Sequence, residues 1–193
     1  MKCVDVIIQD HSTIRKGLDI LDMMAGELEA GKRIEIADAI KLADFLKLFV
    51  DGYHFAAEEN ILFPLLLRAT PDDSPLHQMI SEHSEERTLL SHIQDALKFK
   101  RAMDFVRISR RLSLLLRNHF REEDAIVCDL AKRSLSNEED TMIVTEFMKR
   151  RIQVENHPSL AQLEWKYTGQ RQAGTQSPAR EFARAQGAGS YHS

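Results

Sequence analysis

Apolar residues recur with a period near 3.6 up to about residue 155, and strand-like alternation is almost absent, so the pattern predicts helices throughout. A first helix is expected from about Val4 to Ala30, stopped by Gly31, a residue suited to the left-handed position just past a helix end. A second should run from about Ile34 to Arg68. Pro64 lies inside it and predicts a kink or an early end near Phe63, because proline lacks the N–H and crowds the preceding turn. The run TPDDSP reads as a connection in which Ser74 caps, and Pro75 opens, a third helix reaching about Lys98. A fourth is expected from about Ala102 to Ser134. Ser136 and Glu139 then have the spacing of a reciprocal cap, which places a fifth helix at about Asn137 to Glu155, ended by Pro158.

Four long helices with short connections predict an all-α fold. It should be an antiparallel up-down-up-down four-helix bundle over 1–135, with an additional C-terminal helix over 136–157 and a flexible, disordered tail over 158–193. From Thr168 the chain is polar and rich in Gly, Ala and Gln, with at most a short helix around Ala179–Ala185.

Composition narrows the function classes. The chain has 193 residues, 43% hydrophobic and 29% charged, a balance that suits one globular domain with a tail. Its 26 basic residues against 30 acidic ones give a net charge of −4, which argues against nucleic acid as a partner. No apolar run approaches the ~18 residues of a membrane span. The start, MKCVDVIIQDHST, has its apolar stretch broken by Asp5 and Asp10 and does not read as a secretory signal. Two cysteines, Cys3 and Cys128, suit a reducing compartment, so a cytoplasmic location is expected. There is no glycine loop of the G-x-G-x-x-G type, so any reductant must come from outside.

The eight histidines change the picture. At about 100° per residue, His11 falls on the face of Val4, Ile7, Ile8, Ile14 and Leu18, and His54 aligns with Val50, Ile61 and Leu65. His83 shares its face with Leu76, Met79, Ile80, Leu90 and Leu97. His119 shares its own with Leu112, Leu115, Leu116, Ile126 and Leu130. Each bundle helix thus points one histidine into its apolar stripe, whereas His77 and His92 lie off that stripe and His157 and His192 fall beyond the last helix. Glu58 and Glu123 follow His54 and His119 by one turn. By composition about one histidine should have an acid at that position, so the pairs alone decide little.

The convergence decides more. Burying four imidazoles and two carboxylates without partners costs several kcal/mol per ionised group, on the order of what a bound cation relieves. Six N/O donors exceed one tetrahedral zinc and suit two ions sharing the carboxylates, with no inward cysteine for softer metals. Cys128 lies on the opposite side of its helix from His119. Iron is the expected metal, with manganese or zinc as the other options. Tyr53 is placed as a hydrogen-bond donor at the rim of the site. Glu59, Glu86 and Glu122 are expected on solvated faces or in pairs between helices, Glu86 also being considered as a supplementary ligand.

The segments DHSTIRKGLDIL, YHFAAEENILFP, SEHSEER and RNHFREED resemble the four signature segments of the hemerythrin-like (HHE cation-binding) family, over about 1–135. That resemblance implies a non-haem di-iron centre, bridged by an oxo or hydroxo group and by carboxylates. Its ligands would be His11, His54, Glu58, His83, His119 and Glu123, with Glu58 and Glu123 as the bridges. It further implies a small-molecule ligand (dioxygen, peroxide or nitric oxide) that is bound or reacted upon, catalase-like turnover included. The alternative is non-catalytic binding, storage or sensing of oxygen, nitric oxide or iron. One departure stands out. Oxygen carriers of the family have a second histidine one turn after the third-helix histidine, and here that position is Arg87, expected to pair with Glu58 or Glu123, to steer an anionic ligand, or to form a surface ion pair.

Overall fold

The computed structural model describes residues 2–69, 75–155 and 159–169. These residues are helical apart from short connections, with no strand among them. Helix α1 spans Cys3–Glu29, and Gly31 beyond it takes a φ of +72°, the left-handed conformation glycine adopts without strain. Helix α2 (Ile36–Leu46) begins two residues later than expected and then continues through a π-helical stretch (Lys47–Phe55). A second π stretch (Glu58–Leu62) leads into α3 (Phe63–Leu67). The early end expected near Phe63 is therefore corrected. Pro64 sits in the first turn of α3, where its missing N–H costs least, behind the wider turns upstream.

Helices α4 (Pro75–Lys98), α5 (Ala102–Ser134) and α6 (Asn137–Glu155) fall where the pattern puts them. The cap of α6 is reciprocal: the Glu139 N–H donates to Ser136 Oγ at 3.2 Å, and the Ser136 N–H to Glu139 Oε2 at 2.9 Å. Residues 159–169, read from the sequence as tail, instead form α7 (Ser159–Glu164) and a π turn (Trp165–Gly169). Leu163 is buried there, and Lys166 and Tyr167 donate to Asp38 at 2.5 and 3.1 Å. The Ser74 cap, Pro158, His157, His192 and the remaining tail with Ala179–Ala185 lie outside the described residues.

Side-chain pairs give the bundle's direction and register. Between α1 and α5, His11 meets Asp124, Asp22 meets Ser113 and Glu29 meets Arg110, so the numbers run oppositely. The same holds for Asp44 with Gln94 and Asp51 with Arg87, and for Asp10 with Tyr53 beside Gly17 with Leu46. Four antiparallel partners therefore close a ring, α6 packs on α1 and the Lys47–Phe55 stretch, and α7 packs on α2 and α1. Gly17 permits the closest of these approaches, since a Cβ there would lie 3.0 Å from Leu46 Cδ2. Most of the expected stripe is buried, but Ile8 and Ile126 sit at its edge, 45% and 38% exposed. No described helix is long and apolar enough to cross a membrane.

Candidate metal centre

The four inward histidines meet at mid-bundle, all essentially inaccessible to solvent together with Glu58 and Glu123. They form two pairs. His11 Nε2 lies 3.1 Å from His54 Nε2, and His83 Nε2 lies 3.1 Å from His119 Nε2. The carboxylates lie between the pairs. Glu58 is 3.2 Å from His54 and 3.6 Å from His83, while Glu123 is 3.1 Å from His11 and 3.5 Å from His119. His11, His54, Glu58 and Glu123 each offer a donor atom within 4.8 Å of the others, a spacing that can hold a metal ion. His77 and His92 are exposed, away from the cluster.

Behind each imidazole stands a carboxylate at Nδ1: Asp124 for His11 at 2.7 Å, Glu59 for His83 at 2.7 Å, Glu82 for His119 at 2.9 Å, and Asp10 near His54 at 3.8 Å. Each comes from the neighbouring helix, α5 to α1, α1 to the π stretch, that stretch's continuation to α4, and α4 to α5. The outer carboxylates thus run as a ring around the bundle. An ionised carboxylate only accepts, so Nδ1 carries a proton at His11, His83 and His119, whereas His54 Nδ1 has no hydrogen-bond partner among the described residues. Within each pair the two Nε2 atoms, 3.1 Å apart, can share one proton or face a cation. All four oxygens of Glu58 and Glu123 also lack a hydrogen-bond donor among the described residues. Buried imidazole nitrogens and unsatisfied carboxylate oxygens converging in this way are what a metal ion resolves.

The electrostatics carry the same tension. Burial, with the Glu123 charge beside it, pushes Glu58 well above the usual carboxylate range. Burial also works on Glu123, but the His11 and His119 imidazoles outweigh it and hold Glu123 well below that range. Burial and the neighbouring His119 lower His83 to about 2, whereas on His119 burial is outweighed by Glu123 and raises it to about 9. One proton thus settles on one carboxylate while the other pairs with imidazolium. Metal binding would replace these protons, ionising both carboxylates and leaving the imidazoles neutral.

Aromatic rings cover the cluster. Phe55 stacks on His83 at 3.7 Å between centroids and Phe120 on His11 at 4.2 Å. Tyr53 is wholly buried and donates to Asp10 Oδ2 at 2.7 Å, a hydrogen-bond donor beside the cluster as the sequence reading placed it. Asp10 also faces Arg151 of α6, whose Nη1 lies 3.2 Å from Oδ1. One expectation needs correction, and two take an option read from the sequence. Arg87 forms an ion pair with Asp51 at 2.6 Å and Glu59 at 2.9 Å, not with Glu58 or Glu123, and its guanidinium lies 5.6 Å from the Phe55 ring centroid. Glu59 is half-buried and pairs between helices with His83 and Arg87. Glu86 is buried, 1% exposed, with neither oxygen hydrogen-bonded among the described residues, and burial pushes its carboxyl up to about 8. Sequence reasoning missed Asp10, Glu82 and Asp124. The available signal was adjacency, each outer carboxylate being the chain neighbour of an inner donor (Asp10–His11, Glu58–Glu59, Glu82–His83, Glu123–Asp124).

Comparison with known protein families matches residues 3–131 to the hemerythrin HHE cation binding domain. No curated protein and no solved structure matches the chain.

Proposed function

The chain belongs to the hemerythrin HHE cation binding family, and from that premise we propose that it is a non-haem di-iron protein reacting with small oxidants, peroxide foremost. The observation that carries the reading is the placement of Glu58 and Glu123, each within reach of one histidine from both pairs. His11 and His54 would hold one ion, His83 and His119 the other, and the two carboxylates would be shared. Bound iron would supply electron transfer to dioxygen, peroxide or nitric oxide.

The chain's own residues set the conditions for that chemistry. Asp124, Glu59 and Glu82 orient the imidazoles of His11, His83 and His119 through Nδ1 and raise their basicity. Phe55 and Phe120 keep bulk water off the donors. Arg87 adds no donor, so the His83 pair keeps two imidazoles and the shared carboxylates. A site this sparse favours turnover over simple oxygen carriage.

Peroxide-dependent oxygen evolution by the iron-loaded full-length chain, abolished in His54→Ala and Glu123→Ala, is the expected result. Reversible ligand binding without turnover would overturn the enzymatic reading. One observation favours a sensing role as the second reading: Arg151 ties α6 to Asp10 under His54, giving the centre a mechanical link to the outer helix.

A further inference from the structure

Three of the four outer carboxylates are neutralised by an arginine on their outward side. Arg15 holds Asp124 at 2.9 Å, Arg151 holds Asp10 at 3.2 Å and Arg87 holds Glu59 at 2.9 Å. A cation approaching from any of these directions meets positive charge. Glu82, behind His119, is different, since its second oxygen accepts from the neutral amide of Gln78 at 2.7 Å.

That side of the molecule opens into a cavity of about 170 Å³ between α4 and α5, lined by Glu82, Glu85, Glu86, Asn118, His119 and Glu122. Glu85 and Glu122 are exposed, Glu82 and Asn118 half-buried, and Glu86 and His119 buried, so the lining grades from surface to centre. Arg111 pairs with Glu85 and His119 with Glu82, and no lysine or arginine pairs with Glu82, Glu86 or Glu122 among the described residues. Glu86 supplies the independent sign of a ligand. It is 1% exposed, lines the cavity, and has no hydrogen-bond partner on either oxygen among the described residues. A buried carboxyl left in this way is costly to ionise unless something positively charged visits it.

We propose that this acidic cavity is the route by which divalent metal ions reach the centre, with Glu86 as the inner carboxylate that hands the ion to the His83 and His119 pair. The inference rests on the metal-binding reading above and goes beyond it by assigning residues outside the ligand set. A converging field of carboxylates concentrates cations at the mouth and speeds their capture, an effect that added salt weakens. Glu86 then replaces part of the ion's hydration before the imidazoles do.

The test is loading of the full-length chain, stripped by chelator, with cobalt(II), followed by its visible absorbance in a stopped-flow instrument. Glu86→Gln, which keeps the shape of the side chain, should slow uptake on the order of tenfold while the final stoichiometry stays that of the wild type. Glu122→Lys at the mouth should slow it similarly and remove its salt dependence, whereas Glu138→Lys, an exposed change of equal charge on α6, should not. Wild-type rates in both cavity variants would overturn the route. A lost equivalent of cobalt in Glu86→Gln would also overturn it, by making Glu86 a ligand. A wild-type chain that binds no cobalt would instead refute the metal centre itself.

Discussion

Replacing Arg151 with alanine removes the contact that ties α6 to the centre, together with the Nη1 bond to Gln9 at 2.9 Å. Arg151 is 6% exposed and Asp10 is 0% exposed, and Nη1 and Oδ1 are 3.2 Å apart. With an effective dielectric of about 20, that separation corresponds to roughly 5 kcal/mol of attraction, much of it offset by the desolvation of both groups. Truncation is another matter, because it leaves Asp10 itself as a buried, orphaned charge, and removal of one partner of such a pair costs about 3–5 kcal/mol. Tyr53 still donates to the other oxygen at 2.7 Å, which places the expected loss near the lower end, about 3 kcal/mol. For a chain of this size that lowers the unfolding midpoint by roughly 6–12 °C. Urea and thermal unfolding of the metal-loaded chain measure it, with Asp10→Asn and the double variant completing a cycle. The double variant should be more stable than the sum of the single losses implies, by more than about 1 kcal/mol. A loss below about 1 kcal/mol in Arg151→Ala, or strict additivity in the cycle, would show that the pair is not the buried, mutually dependent contact described.

Asp124→Ala should weaken metal binding by about 10–100-fold in chelator competition, since it removes the acceptor that orients His11; unchanged affinity would reduce Asp124 to a surface partner of Arg15. Stripping the metal should lower the thermal midpoint, because occupancy stabilises the folded state by mass action, and an unmoved midpoint would argue against a metal in the core. In the stripped chain, Glu86 has a folded pKa of about 8 against an ordinary 4.5, so the folded state holds an extra proton between those values. Its contribution is complete below the lower value and is lost as pH rises toward the upper one, at up to about 1.4 kcal/mol per pH unit. Glu86→Gln should therefore gain on the wild type from pH 5 to pH 8 in urea midpoints, and parallel curves would contradict the assignment.

What the sequence reveals about the centre, and what it hides, follows from the period of the helix. His11, His54, His83 and His119 are legible because a helical phase places each in its own apolar stripe, a property of one helix at a time. Glu58 and Glu123 are legible as one-turn neighbours. Asp124 behind His11 and Glu82 behind His119 are not, because each acts on a different helix and depends on a register that only packing sets. Glu86 was misplaced for a related reason: its phase lies at the margin of the α4 stripe, and whether that margin faces solvent is decided by how closely α5 approaches. The second helix is legible over its length, but whether Pro64 kinks or ends it is not, and the π stretches upstream of Pro64 have no composition of their own. Residues 159–169 looked like tail since Leu160, Leu163 and Tyr167 are too few to make an apolar stripe, and the Lys166 and Tyr167 bonds to Asp38 link elements far apart in the chain.

The most direct measurement is the metal content of the purified, iron-loaded full-length chain, taken together with its near-ultraviolet spectrum. The expected result is about two irons per chain with charge-transfer bands, both lost when Glu58 and Glu123 are replaced by alanine. A chain that retains no stoichiometric metal, or that loads equally well without those two carboxylates, would contradict a shared two-ion centre between the histidine pairs.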